Sequence, residues 1–300
     1  MIPPDIQQLA DRRAQARADR DWTAGDALRE QLHARGWDVK DTADGQLLAP
    51  LPPYPVLPAV TDLPDRSAVP DTHRCTVALL VEGWPEDLRT CVAALLQHAP
   101  DDVRVVLLDN GGTPAAAAVH ELAQAHDRVA ELHVQRPAGW AEARNALVRR
   151  DTAAVHVVMD PSTVLEGDAL GPLLTALADP SVAAAGWRGV HVQDGWNAFA
   201  DSPPGEVEAL LGYLIAVRRS AALHVPFPPK ARFYRNADME WSFLLRDAGA
   251  GRLVAVDVPA RQDRHHGYHD SDPAQRDRES KKTYDRFLQR FRGREDLRLR

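Results

Sequence analysis

Three acidic residues follow apolar runs: Glu82 after CTVALLV (75–81), Asp109 at the end of VRVVLLD (103–109) and Asp160 at the end of AAVHVVMD (153–160). If those runs are strands, the acids stand at strand tips, where open α/β sheets bind ligands. Asp109 precedes Asn110-Gly111-Gly112, whose glycines let backbone turn sharply or approach a ligand. Its carboxylate either accepts hydrogen bonds from a base N–H and ribose hydroxyls or caps a helix starting near Pro114. Asp160, followed by Pro161-Ser162-Thr163, is either an oxygen ligand for Mg²⁺ or Mn²⁺ or the start of a turn with proline at its second position. Further on, Asp238 and Glu240 fall in the first turn of an apparent helix within FYRNADMEWSFLLRDAG (233–249). There they either compensate the helix dipole or supply a carboxylate general base. Two residues apart, they diverge by about 200° on a helix. Asp238 then lies at the edge of the face set by Trp241 and Leu245, and Glu240 points elsewhere. His265, His266 and His269 cluster in RHHGYH (264–269) as metal ligands, phosphate contacts or solvated loop residues.

Helices expected at 85–99, 113–126 and 141–150 separate the acid-tipped runs, with a further strand at 129–135 and another, LVAVDV, at 253–258. This alternation predicts an α/β fold: a Rossmann-like, mostly parallel central sheet with helices on both faces. Seven prolines in 50–70 exclude a helix or a central strand. We therefore expect a small module at 1–48, a Pro-rich linker or surface strap at 49–72, and a large domain at 73–300. The module reads as two helices and a hairpin. Ile6, Leu9, Arg13 and Ala16 share one helical face, Leu28 and Leu32 mark the second helix, and Gly36 ends it. Ala43-Asp44-Gly45 is the hairpin turn signal. So small a unit buries little surface and is expected to dock on the larger domain.

The order of motifs across 75–270 resembles a family 2 glycosyltransferase with the GT-A fold. The run is CTVALLVEGW, VRVVLLDNGG, AGWAEARNALVRR, VHVVMDPSTVLEGDAL, LLGYLIAVRRSAAL, YRNADMEWSFLLRDAG and RHHGYH. The resemblance implies a nucleotide-sugar donor, a hydroxyl acceptor, a divalent metal (Mn²⁺ or Mg²⁺) and inversion at the anomeric carbon. By position it assigns Glu82, Asp109, Arg144, Asn145 and Asp160 to the donor, with Asp109 on the nucleoside. Gly212, Tyr213 and Arg218 fall on the acceptor side. Asp238 matches the acceptor-activating acid, with Glu240 at the second acidic place. Asp160 takes the first position of the metal motif, and His265, His266 or His269 a late metal or diphosphate contact. Ser162 stands where the motif has its second acid, and Val81-Glu82-Gly83-Trp84 replaces the family's usual stretch after the first strand, so the base stays unnamed. The alternative is a catalytically silent sugar-nucleotide binder or scaffold. A nucleotidyltransferase would need a glycine-rich basic loop that VEGWPEDL lacks. Residues 13–45 resemble a segment from the C-terminal part of cysteinyl-tRNA synthetases, without that enzyme's nucleotide-binding signatures or zinc cysteines.

The 300-residue chain is 44% hydrophobic and 26% charged, which fits a folded globular protein. A net charge of −7 argues against non-specific nucleic-acid binding, and so does the module's excess of acids, nine to seven. No apolar run approaches the roughly 20 residues of a membrane-spanning helix, and MIPPDIQQLADRR holds no signal-peptide core. The expectation is therefore cytoplasmic, with Cys75 and Cys91 as reduced, buried thiols. Residues 276–300 carry ten basic and five acidic residues. They form either a helix touching anionic lipid or a partner, or a solvated helix with Tyr284, Leu288 and Phe291 inward.

Overall fold

A computed structural model of the chain describes residues 2–42 and 45–299, with the backbone alone described at Asp194. The chain divides into two compact units, Met1–Pro55 and Val56–Arg300. In the first, helices α1 (Pro4–Ala18) and α2 (Trp22–Ala34) precede a hairpin of β1 (Trp37–Thr42) and β2 (Gly45–Pro50). Asp21 caps α2 by accepting the Ala24 N–H at 3.0 Å. Past its end Gly36 takes φ +78°, a left-handed stop that glycine adopts without strain. Ile6, Leu9, Leu28, Leu32 and Val39 form the unit's own core. Arg13, on the same helical stripe, is 3% exposed and binds Asp41 through bonds of 2.8 and 3.0 Å. Ala43 and Asp44 of the expected turn lie outside the described residues.

The second unit opens with β3 (His73–Val81), α3 (Pro85–His98), β4 (Val103–Asn110), α4 (Ala116–Ala125), β5 (Val129–Val134), α5 (Trp140–Arg150) and β6 (Ala153–Met159). Then come β7 (Thr163–Leu165), α6 (Leu170–Ala176), β8 (Val182–Gly186), β9 (Gly189–Gln193), β10 (Ala198–Ser202), β11 (Gly205–Glu206), β12 (Ala209–Leu210) and β13 (Leu214–Arg218). The remainder is α7 (Arg219–His224), α8 (Ala237–Asp247), β14 (Arg252–Ala255), β15 (Ala260–Gln262), α9 (His266–His269) and α10 (Pro273–Phe291). The main sheet has eight strands in the order β11-β14-β8-β13-β6-β3-β4-β5. Neighbours β6-β3-β4-β5 are parallel, as are β14 and β8, while β13 runs antiparallel between β6 and β8.

Alternation along β3 builds both cores. Cys75, Val77, Leu79 and Val81 pack with Leu88, Cys91 and Leu95 of α3 on one face; Ala78 and Leu80 pack with α5, including Trp140 and Leu147, on the other. Both cysteines are free and buried, and burial pushes the Cys75 thiol up to about 12. The antiparallel β13 matters for the site. Its first residue, Leu214, pairs with Met159 at the tip of β6, and its last, Arg218, pairs with Val155 toward the strand's base. The chain entering β13 is thus laid beside Asp160, whose N–H donates to the Tyr213 carbonyl at 3.0 Å.

Residues 56–72 are a strap on this unit. Leu57 bonds the backbone of β5, through the His133 carbonyl and the Gln135 N–H, and Val60 and Leu63 are buried. At the other end, α10 packs Phe287 and Phe291 against Trp196, Met239 and Phe243 in a third core. Its expected inward residues Tyr284 and Leu288 lie at the margin of that core, half-buried. On its outer side Lys281 pairs with Asp285, Lys282 with Glu279 and Arg290 with Asp247. Those three cations thus have acidic partners on α10 itself or on α8. Among the described residues no helix is long and apolar enough to cross a membrane.

Candidate active site

The tips of β6 and β13, the start of α8 and the segment before α9 enclose a cleft of about 500 Å³. Asp238 reaches it from the first turn of α8. The preceding residue Asn236 holds φ +67°, which breaks the chain sharply ahead of the helix. Asp238 Oδ2 accepts the Gly212 N–H at 2.7 Å, and Oδ1 accepts the Met239 N–H at 2.8 Å. Burial in the cleft pushes its pKa up to about 6, against the lowering effect of those backbone donors. A carboxylate titrating there is basic enough to take a proton at neutral pH. A Cβ at position 212 would sit 3.3 Å from Asp238 Oδ2, a contact tight enough that the carboxylate would have to shift by a few tenths of an ångström.

Across the cleft is Asp160. Its Oδ1 accepts the Ser162 N–H at 2.8 Å and the Ser162 hydroxyl, closing the turn that follows β6. Its Oδ2 lies 2.8 Å from His265 Nε2, yet that buried nitrogen is not aligned with any hydrogen-bond partner. Burial alone would raise the Asp160 carboxyl; His265 and Ser162 outweigh it and hold it below the usual range. His265 is flat against Tyr234, ring centroids 4.3 Å apart, and its Nδ1 accepts the Tyr268 N–H at 3.1 Å. Behind Asp160, Arg144 is 2% exposed and donates to the Ala78 and Met159 carbonyls at 2.7 and 3.0 Å. Burial lowers its pKa to about 10 against the pull of Asp160 and Glu82, so it stays cationic at neutral pH.

Glu82 opens a narrower recess on the far side of Asp160, with Trp84, Ser162 and His266. Crowding by protein raises the Glu82 carboxyl, which Arg144 partly offsets. Trp84 takes φ +54° and its ring stacks on His266 at 5.6 Å. His266 is further held by Asp270, and His269 lines the main cleft without reaching Asp160.

As a site for a divalent cation, this arrangement offers Asp160 Oδ2 facing an orphaned imidazole nitrogen, a carboxylate–imidazole donor set that Mn²⁺ accepts. Among the described residues no three acidic, histidine or cysteine groups converge as a complete cage. The fit is therefore to an ion held by Asp160 and completed by substrate oxygens and water. His265 joins it only with the proton on Nδ1, which gives up the Tyr268 bond.

Five sequence expectations are corrected by where the side chains go. Asp109 is 1% exposed, and its oxygens take the Thr113 N–H at 2.8 Å and His133 Nδ1 at 3.1 Å; it caps a turn and offers no free carboxylate to a nucleoside. Asn145 is turned from the cleft to clamp the Phe227 backbone, through bonds of 2.9 and 2.8 Å. Arg218, at the base of β13, donates to the Val182, Leu177 and Asp179 carbonyls and is far from the acceptor side. Glu240, 2% exposed, faces α10 and pairs with Arg286 through both oxygens, so it is no catalytic acid. The His266 partners named above likewise take it out of any ion shared with Asp160.

The profile of Glycosyl transferase family 2 matches residues 79–241, more than half of the chain. This chain belongs to glycosyltransferase family 2. The matched span runs from β3 through the first turns of α8 and so contains Asp160, Gly212 and Asp238. Two solved structures share the fold. One is GalNAc-T7 with UDP, GalNAc and Mn²⁺, with TM-score 0.59 and 15% identity over 72% of this chain and 48% of that one. The other is the mannosyltransferase PcManGT from Pyrobaculum calidifontis with GDP-Man and Mn²⁺, with TM-score 0.50 and 19% identity over 69% and 58%. The chain thus spans about half the length of these neighbours, and the fold is GT-A. Residues 1–47 match the cysteinyl-tRNA ligase anticodon binding domain. They are 47% identical to cysteine–tRNA ligase 1 of Burkholderia lata and 43% identical to the enzyme of Protochlamydia amoebophila. Each match covers 16% of this chain and 10% of the ligase.

In this member of the family the cleft also contains residues that the sequence reading passed over: Tyr234, Arg235, Gln262, Arg264 and Tyr268. Their signal was adjacency. Arg235 directly precedes Asn-Ala-Asp238, and Arg264 directly precedes the histidines. Of these two cations, Arg264 is paired with Asp270.

Proposed function

We infer that this protein transfers a sugar from a nucleotide-sugar donor to a hydroxyl acceptor with inversion. The observation that carries the reading is the pairing across one cleft of Asp160, held ionised, with Asp238, whose pKa lies near 6. Family membership and the two structural neighbours, recorded with UDP or GDP-Man and Mn²⁺, support it.

Asp238 accepts the acceptor's hydroxyl proton as that oxygen attacks the anomeric carbon, in line with departure of the nucleoside diphosphate. The Gly212 N–H fixes the carboxylate's orientation through Oδ2, and general-base assistance of this kind contributes about 10²- to 10⁴-fold. Asp160 would hold the divalent ion, which when bound neutralises charge on the leaving diphosphate. Arg144, its guanidinium buried behind Asp160, adds fixed positive potential on that side. Tyr213 lines the cleft and through its carbonyl secures both the Asp160 N–H and the Thr163 hydroxyl, at 3.0 Å each.

A catalytically silent sugar-nucleotide binder is the second reading, favoured by one fact: Asp160 Oδ1 is occupied by Ser162, where a second acid would otherwise stand. A melting-temperature panel of nucleoside diphosphates with and without Mn²⁺ tests donor binding, because ligands of the native state stabilise it. We expect a metal-dependent rise with one base and its loss in Asp160→Asn. No rise with any base would remove both readings. A rise without turnover of the matching nucleotide sugars would leave the silent binder.

A further inference from the structure

We propose that the acceptor is anionic: the hydroxyl that reacts stands beside a phosphate or carboxylate group, which Arg235 receives at the rim of the cleft. This rests on the assignment of Asp238 as the acceptor's base.

Most charges around the cleft have partners. Asp263 is bound by Arg261 at 3.0 Å, and Arg264 by Asp270. Asp160 faces His265, and buried Arg144 is committed to two main-chain carbonyls. Arg235 differs from all of them. It lines the cleft, it is exposed, and among the described residues it forms no ion pair with a carboxylate. It is nevertheless held in place. Its Nη1 donates to the Tyr268 hydroxyl, and its guanidinium lies over the Tyr268 ring at 4.9 Å. Arg276 covers the same ring at 4.6 Å, so Tyr268 carries two cations. Stacking orients the guanidinium and leaves its remaining N–H groups free to grip an oxyanion in bidentate fashion.

Position decides which substrate that oxyanion belongs to. Arg235 lies three residues before Asp238, on the segment that Asn236 bends into α8. The donor diphosphate is expected at Asp160, Arg144 and His265; because Tyr268, which carries Arg235, also donates its N–H to His265 Nδ1, that diphosphate is the competing occupant and is tested as such below. The positive end of α8 adds to the potential on the Arg235 side. An anion at Arg235 thus shares one cleft with the proposed base and is held by the segment that leads into its helix, and on that ground we assign it to the acceptor.

Matched probes test this: glycerol, glycerol 3-phosphate and glycerate, titrated by ligand-observed NMR into the full chain. The titrations are run with Mn²⁺ and a saturating nucleoside diphosphate already bound, so that the donor's phosphate site is filled. The proposal expects the two anionic probes to bind and glycerol not to. It expects Arg235→Ala to weaken the anionic probes at least about tenfold, with Arg235→Lys intermediate and nucleoside diphosphate affinity unchanged in both. A greater response to glycerol 3-phosphate than to glycerate marks a phosphate acceptor, the reverse a carboxylate. Equal binding of all three probes overturns the proposal, as does anion binding that survives Arg235→Ala. It is also overturned if Arg235→Ala weakens the nucleoside diphosphate instead, which would assign Arg235 to the donor. Failure of the nucleoside diphosphate to bind wild type at all would count against glycosyl transfer itself, and is seen before any probe is added.

Discussion

Asp238 has opposing effects on stability and chemistry. Its folded pKa of about 6 lies above the ordinary 3.8, so between those values the folded state keeps a proton that the unfolded state has lost. Stability therefore falls as pH rises through that window, and the full penalty is present above about pH 6. Two units correspond to about 3 kcal/mol, reduced to about 1–2 because the side chain is half-open to water. Asp238→Asn should raise the unfolding free energy at pH 7.5 by that amount and leave it unchanged near pH 3.5; equal stability of the two proteins at both pH values would contradict the raised pKa. Activity moves the other way. A base must be unprotonated, so wild-type kcat/KM should rise tenfold per pH unit below about 6 and level off above it, and a flat profile from pH 5 to 8 would exclude Asp238 from that role.

Strands, helices and turns determine which acids reach the cleft. Residue spacing placed Asp238 and Glu240 about 200° apart, and the helix does send Glu240 away, to Arg286. Removing Arg286 would leave Glu240, 2% exposed, as a lone buried carboxylate. Arg286→Ala is expected to cost about 3 kcal/mol in denaturant unfolding, with kcat within about twofold of wild type well below the melting transition. A collapse in kcat with stability intact would return Glu240 to the chemistry. The strand–helix alternation was legible because β3, β4 and β6 are short, largely apolar and bounded by turn residues. The insertion of antiparallel β13 was not legible, since nothing local in Leu214–Arg218 encodes which strands it lies between. That one topological fact places Gly212 and Tyr213 at the cleft and Arg218 at the sheet's far end. Asp109 failed for a similar reason: its partner His133 is 24 residues on, brought alongside only by the pairing of β4 with β5.

Taken whole, the chain carries net charge −7, and its basic C-terminal helix is balanced by acids of α8 and of its own turns. The sequence shows the excess of cations but not their partners Glu240 and Asp247, which lie some forty residues away. Cosedimentation of the full chain with phosphatidylserine vesicles at 150 mM salt should show no more binding than with neutral vesicles. Selective binding to the anionic vesicles would show that these pairs open at a surface.

The central claim is that Asp238 acts as the base in glycosyl transfer. The most direct measurement compares wild type and Asp238→Asn for kcat, with the nucleotide sugar matching the stabilising base, Mn²⁺ and an acceptor, alongside donor affinity measured separately by calorimetry. The account predicts a fall in kcat of about 10²- to 10⁴-fold with donor affinity nearly unchanged, the signature of a group used in the transition state. Turnover retained in Asp238→Asn, or lost only in step with donor affinity, would contradict it.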